Sequence, residues 1–249
     1  MADQLYLSLW YPNFRLQSLP AALTGVLRQF ALIAQDGKPN SELGRVVAAS
    51  SYPIEWTESP VYQRIYVNDE RAEASADTEA SLPENAVAEA TEQMHEDSAY
   101  EFEMQWMLWL PVPANADSGP HEFKDDPDLP DPDAEPEPPR TGAWRLQPSR
   151  VRIIGFGPEF DEGSYEQNGH IRVDFGLDTP WVLDDELAGD PTNQFAQKLA
   201  AKHIQQNVEK LLAFTLSVEK HCGISSRLLW TESGEPLAEK LIARLQRLN

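Results

Sequence analysis

The chain is poor in cysteine and has no long apolar run. Cys222 is the single cysteine among 249 residues, so no internal disulfide can form, and such usage is typical of a reducing compartment. No apolar stretch approaches the ~20 residues that a membrane-spanning helix needs. The first residues carry Asp3 and no basic stretch, and therefore do not resemble a secretion signal. These absences predict a cytoplasmic protein that does not enter a membrane.

The standard signatures of catalysis and metal binding are also absent. The sequence contains no Walker loop, no G-x-S-x-G, no H-E-x-x-H and no C-x-x-C. Its five histidines never stand three or four residues apart, which excludes the usual zinc spacings. Gly155, Gly157 and Gly163 do not have the spacing of a dinucleotide loop, and the acidic residues between them would repel phosphate. We therefore predict neither a metal site nor a cofactor.

Basic residues are scarce, but the resulting acidity is local. The chain has 20 Lys and Arg against 41 Asp and Glu, a net charge of −21. Residues 69–140 hold 21 of these acids against three bases, whereas the rest of the chain holds 20 acids against 17 bases. The body is therefore nearly neutral, and one region carries the charge. Binding to nucleic acid or to an anionic membrane is not expected, because phosphate recognition needs a cationic surface.

The first part of this acidic region, residues 69–100, is predicted to be a loop followed by a helix. Ser81-Leu82-Pro83-Glu84 is a good helix start, and the helix is predicted to continue to about Ser98. Val87, Ala90 and Met94 share its apolar side. The opposite side carries three carboxylates, those of Glu89, Glu92 and Glu96.

The second part, residues 114–140, is Pro-rich and breaks all periodicity with the run DPDLPDPDAEPEPP. Such a run cannot bury enough apolar surface to offset the entropy of ordering it, which predicts a disordered loop. Strand patterns flank it on both sides, so we interpret residues 1–249 as a single domain with an acidic insertion.

The clearest secondary-structure signal lies between Ser149 and Asp178. From His170 to Leu177, apolar and polar residues alternate, which predicts a strand with one buried face. Val151 to Phe156 predicts the preceding strand, and Asn168-Gly169 is a favourable hairpin turn. A β-hairpin near the middle of a sheet is therefore expected.

Other elements complete an α+β pattern. Leu5 to Tyr11 and Glu101 to Leu110 alternate as strands, and Leu19 to Ala34 has helical spacing. A long helix from Pro191 to His221 contains LLAFTLSV, which is apolar nearly all round and is predicted to lie in the core. The expected fold is α+β, with a mixed, largely antiparallel sheet, a long core helix and the acidic Pro-rich insertion.

Two classes of function fit this sequence. The leading hypothesis is a non-enzymatic interaction protein that uses its acidic region, or an exposed aromatic surface near Trp109, to recruit a partner with a basic surface. Mimicry of nucleic acid by the acidic segment is a special case of this hypothesis. Within the same chain, the acidic helix could instead pair with a basic stripe near the C-terminus, formed by Lys240, Arg244 and Arg247.

The alternative is a small hydrolase-like or nucleotide-modifying enzyme built on the polar face of the central strand. His170, Arg172 and Asp174 are spaced two residues apart, so their side chains share one sheet face with neighbours ~7 Å apart. This arrangement would allow a His–Asp or an Arg–Asp relay.

Overall fold

A computed structural model of the chain describes residues 3–36, 43–53, 63–65, 82–112, 144–161, 164–182 and 194–234. In chain order these ranges contain β1 (Gln4–Trp10), α1 (Leu19–Ala34), β2 (Val46–Pro53), β3 (Gln63–Ile65), α2 (Pro83–Ala90), β4 (Ser98–Pro111), β5 (Trp144–Phe156), α3 (Ser164–Gln167), β6 (Ile171–Leu177), α4 (Gln194–His221) and β7 (Ser226–Thr231). The predicted α+β fold is confirmed.

The strands form one seven-stranded sheet in the order β3-β2-β4-β5-β6-β1-β7, and every pair within the described ranges is antiparallel. The predicted central hairpin is present as β5 and β6. Its connection is not a two-residue turn, because residues 157–170 join the strands and include α3. Gly169 does have a positive φ of 91°, and a Cβ at this position would lie 2.9 Å from the Leu9 nitrogen. The glycine therefore permits close approach to β1.

The inner face of the sheet carries the main core. Alternate residues of β4 bury their side chains there, and Trp106 lies at the centre. Its ring contacts aromatic rings from α1, β6, α4 and the segment after β6: Phe30, Phe175, Phe214 and Trp181. Gly155 lets α1 pack closely, since a Cβ there would lie 2.6 Å from Leu19 Cδ1. This face is a continuous apolar layer beneath the helices.

The long helix α4 is confirmed, but it is buried on one side only. Leu211, Phe214 and Val218 are fully covered, whereas Leu212 and Leu216 are 48% and 57% exposed. The prediction that this segment lies in the core is therefore met by one side of the helix only. The physical reason is that α4 packs against α1 and β4 and has no second layer over its far side within the described residues.

Helix α2 is shorter than predicted. It ends at Ala90 rather than near Ser98, and the Thr91 hydroxyl donates to the Val87 carbonyl oxygen at 2.6 Å. The following chain turns back into β4, where the His95 N–H donates to the Tyr100 hydroxyl at 2.8 Å. Glu92 and Glu96 therefore lie beyond the helix.

Several predictions fall outside the described ranges. These are the acidic loop at residues 69–81, the Pro-rich loop at residues 114–140, and the basic stripe formed by Lys240, Arg244 and Arg247. Among the helices that the described ranges contain, none combines the length and the apolar character required to cross a membrane.

Candidate functional site

The outer face of the sheet, opposite α1 and α2, carries the polar side chains of the central strand. On this face Arg172 of β6 stands in register between Ser8 of β1 and Ile154 of β5. Asp174 stands in the next row, between Tyr6 and Arg152. Alternate residues of β6 therefore share one face, as the spacing predicted. On this face their side chains lie beside side chains from both neighbouring strands.

A row of rings with one guanidinium group crosses this face. It runs through six residues, which we call the aromatic–arginine row: Trp230, Tyr6, Arg172, Phe156, Phe160 and Tyr52. Neighbouring ring centroids are 4.8 to 6.0 Å apart. The Arg172 Cζ atom lies 5.3 Å from the centroid of Tyr6 and 5.2 Å from that of Phe156. The guanidinium is therefore held between two rings in cation–π geometry.

Ion pairs flank the row. Asp174 is 4% exposed and accepts hydrogen bonds from Arg152 and from the Gly176 N–H, the latter at 2.8 Å. Arg150 donates to Glu103 at 3.1 Å. These pairs neutralise two arginines and two carboxylates of the outer face.

Arg172 differs from these two arginines. Its Nε atom is buried without a hydrogen-bond partner, and no carboxylate of the described ranges forms an ion pair with it. The residue as a whole is only partly buried. The centre of the row is therefore a positive charge that lacks a counter-ion among the described residues.

His170 has a structural role at the end of β1. Its Nδ1 atom accepts a hydrogen bond from the Tyr11 N–H at 2.9 Å, and its ring stacks on Phe14 at 4.4 Å. Burial lowers the pKa of His170, which favours the neutral imidazole that this bond requires. His170 and Asp174 are four residues apart, ~13 Å along an extended strand, so these two side chains do not form a direct relay.

The three predicted acidic residues are exposed but do not lie on one helix face. Glu89 belongs to α2, whereas Glu92 and Glu96 follow it. The Glu96 carbonyl oxygen accepts from the Glu159 N–H at 2.8 Å, and a Cβ on Gly157 would lie only 2.3 Å from that oxygen. The acidic segment is therefore fixed beside the loop that carries Phe160. Sequence spacing gave no sign that Glu159 lies beside Glu96.

Trp109 is partly exposed and packs against α4. Its ring stacks on His203 of α4 at 3.9 Å, and its backbone N–H and carbonyl bond to the Asn207 side chain at 2.9 and 2.8 Å. The half-buried ring forms one wall of a groove of about 590 Å³. Two exposed leucines, Leu32 and Leu146, also line this groove. The surface near Trp109 is therefore part of a groove between α1, α4 and the β4–β5 pair.

The edge of β4 explains why Asn207 is placed there. Strand β2 pairs with β4 only as far as Met104, so residues 105–111 have no strand on that side within the described ranges. Asn207 and Lys210 bond to the exposed backbone, and the Lys210 ammonium donates to the Met107 carbonyl at 3.2 Å. Burial lowers the pKa of Lys210. Helix α4 thus protects the edge against pairing with other chains.

A smaller cavity of about 300 Å³ lies between the end of β1, the start of α1 and the end of α4. Tyr11, Phe14 and Cys222 are among its lining residues. Burial raises the pKa of the Cys222 thiol to about 11, so the thiol stays protonated at neutral pH and is a poor nucleophile. This cysteine is a packing residue.

The described ranges contain no cluster of three or more His, Cys, Asp or Glu side chains that could hold a metal ion. Comparison of the chain with protein-family models, with curated protein sequences and with solved structures found no match. We therefore infer the function from the arrangement of side chains alone.

Proposed function

We propose that this chain is a cytoplasmic, non-enzymatic interaction protein, whose exposed Glu89, Glu92 and Glu96 recruit a protein partner with a basic surface. The structural roles of the central strand support this proposal over the hydrolase-like or nucleotide-modifying alternative. His170 accepts a backbone hydrogen bond, and Asp174 is occupied by Arg152 and the Gly176 N–H. A general base must be free to reach a substrate proton, and neither group has that freedom here.

The observation that carries the proposal is the aromatic–arginine row. Trp230, Tyr6 and Arg172 are partly exposed on one sheet face. Tryptophan, tyrosine and arginine are the residue types that most often dominate the energy of protein interfaces. Their rings and guanidinium are already held in place by stacking, so little side-chain entropy is lost when a partner binds.

The acidic segment makes a second contribution to partner binding, which acts over a longer range. Glu96 lies next to Glu159, at the end of the row that Phe160 and Tyr52 form. Exposed charges of one sign attract an oppositely charged partner and increase the association rate, and salt screens the effect over ~8 Å at physiological ionic strength. We infer that the carboxylates guide a basic partner and that the row provides the contact.

The test is a triple charge reversal, with Glu89, Glu92 and Glu96 each changed to Lys. A matched control reverses three exposed carboxylates elsewhere, Glu166, Glu209 and Glu232, and changes the net charge by the same amount. Proteins captured from the native host by the parent chain are identified, and their association rates are measured at several salt concentrations. The first variant should associate more slowly and with a flatter salt dependence, whereas the control should resemble the parent chain. Equal behaviour of the two variants would show that only net charge matters and would contradict the proposal.

A further inference from the structure

We propose that Arg172 is a carboxylate-binding site, and that it holds an Asp or Glu side chain of a protein partner. The identity of the ligand as a partner's side chain rests on the proposed function. The carboxylate chemistry rests only on the structure of the outer face.

The geometry of the guanidinium favours binding of a carboxylate. Tyr6 and Phe156 lie over it at 5.3 and 5.2 Å. The residue is only partly buried, so an anion from solvent can reach N–H groups that the rings leave uncovered. All five N–H donors of an arginine lie in one plane, and they match the two oxygens of a carboxylate. The two ring contacts limit the movement of the side chain, which lowers the entropy lost when a carboxylate binds.

The balance of charges on the outer face also favours an anion at Arg172. Arg150 is paired with Glu103, and Arg152 is paired with Asp174. Arg172 has no such partner within the described ranges, and its Nε atom is buried without a hydrogen bond. Solvent cannot reach the Nε atom, so an external carboxylate would bind the Nη groups and balance a cation that lies in a partly buried, less hydrated site.

The neighbouring charges select the kind of anion. Glu101 and Asp174 lie on the same face as Arg172, Glu101 two strands away on β4 and Asp174 two residues along β6. Asp174 is paired with Arg152, so the negative charge of Glu101 remains to disfavour a doubly charged phosphate more than a singly charged carboxylate. The two oxygens of a carboxylate also lie in one plane, which matches the planar fork of the guanidinium.

The experiment measures the arginine Nε–H signals of the ¹⁵N-labelled full chain by NMR. Sodium acetate is the probe, and sodium chloride and inorganic phosphate are compared at constant ionic strength. Acetate should shift the Arg172 signal in a saturable way, and the signals of Arg150 and Arg152 should shift much less. Absence of a saturable Arg172 shift, equal shifts of all three arginines, or an equal response to phosphate would each overturn the proposal.

Variants provide the second measurement, with the backbone amide of Arg172 or of its replacement as the reporter. Arg172→Lys keeps the charge but removes the planar fork, and should weaken acetate binding about tenfold. Arg150→Gln removes a paired arginine of the same face and should leave acetate binding unchanged. Unaltered affinity in Arg172→Lys would show that only charge matters and would overturn the site. If Arg172→Lys does not fold, the titration of the parent chain still decides.

The acetate titration needs no partner protein. Its failure would remove the carboxylate site and leave the proposed function to the charge-reversal test. Failure of the charge reversal, with a positive titration, would remove the acidic recruitment of a basic partner and leave the binding site at Arg172.

Discussion

The two faces of the sheet are built differently. The inner face is a layer of apolar side chains beneath α1, α2 and α4, with Trp106 at its centre. The outer face alternates rings and charges, and its charged groups are held by partners on neighbouring strands. The same strands contribute to both, since successive residues point to opposite sides.

This difference shows where each face gets its stability. An apolar layer is stabilised by burial, which depends on the area covered and only weakly on the identity of each neighbour. The outer face depends on specific pairs, because a buried charge such as Asp174 is tolerated only with its partner in place. Substitutions should therefore be costly on both faces, but for different reasons.

The largest effect is expected on the inner face. Trp106→Ala should lower the free energy of unfolding by roughly 3–5 kcal/mol, because it leaves a cavity among four aromatic rings. Urea unfolding of the variant and the parent chain measures this. Leu146→Ala is the control, since Leu146 is 47% exposed and its truncation should change stability by about 0.5 kcal/mol or less. Similar losses in the two variants would mean that Trp106 is not at the centre of the core.

On the outer face, the Arg152–Asp174 pair should respond asymmetrically. Arg152→Gln leaves the buried Asp174 carboxylate without its partner and should cost about 3 kcal/mol. Asp174→Asn leaves a half-exposed arginine that water can solvate, and the amide oxygen can still accept from the Gly176 N–H, so the loss should be about 1 kcal/mol. Urea unfolding compares the two variants. Equal losses would show that the outer face behaves as ordinary solvated surface.

The inner face could be predicted from the sequence because its signal is local. Alternation in β4 and β6 and helical spacing in α1 identified those elements and their buried sides. The exposure of Leu212 and Leu216 could not be predicted, because hydrophobicity alone does not say how many neighbours a helix has. The end of α2 at Ala90 was missed because helix propensity does not show where the chain turns into β4, a turn that the bond from the His95 N–H to the Tyr100 hydroxyl closes.

The outer face could be predicted only in part. The spacing of His170, Arg172 and Asp174 indicated one shared polar face. In the structure, alternate residues of β6 do lie on one face. The row through Arg172 takes its members from widely separated parts of the chain, between Tyr6 and Trp230, and their meeting depends on strand order and register. Neither follows from the residues of one strand. Arg152 likewise pairs with Asp174 because the β5–β6 register places the two residues opposite each other.

A smaller effect is expected where α4 covers the edge of β4. Asn207→Leu removes the bonds to the Trp109 N–H and carbonyl and leaves these backbone groups without partners. The loss should be about 1–3 kcal/mol. Gln206→Leu is the matched control, because Gln206 is exposed on the same helix and should tolerate the change. Thermal or urea unfolding separates the two variants, and a stable Asn207→Leu protein would mean that water replaces the amide.

The smallest effect is expected from His170, at the end of the outer face. This residue should make the free energy of unfolding depend on pH. Burial lowers the pKa of this imidazole in the folded chain, so between that pKa and the unfolded value near 6.5 the unfolded chain binds more protons. The stability contribution is therefore complete above about pH 6.5 and is lost as the pH falls below it. Protonation at Nδ1 would also remove the acceptor for the Tyr11 N–H.

His170→Asn isolates this contribution, because the amide oxygen can take the place of Nδ1 without titrating near neutral pH. Unfolding free energies of the variant and the parent chain are compared at about pH 7.5 and about pH 5.5. The parent chain should lose more stability than the variant over this interval. Parallel losses would assign the pH dependence to other groups and would show that the imidazole is equally easy to protonate in the folded and unfolded chains. A greater loss in the variant would reverse the sign and would mean that the folded chain stabilises the protonated ring, in spite of its stacking between Phe14 and Tyr165.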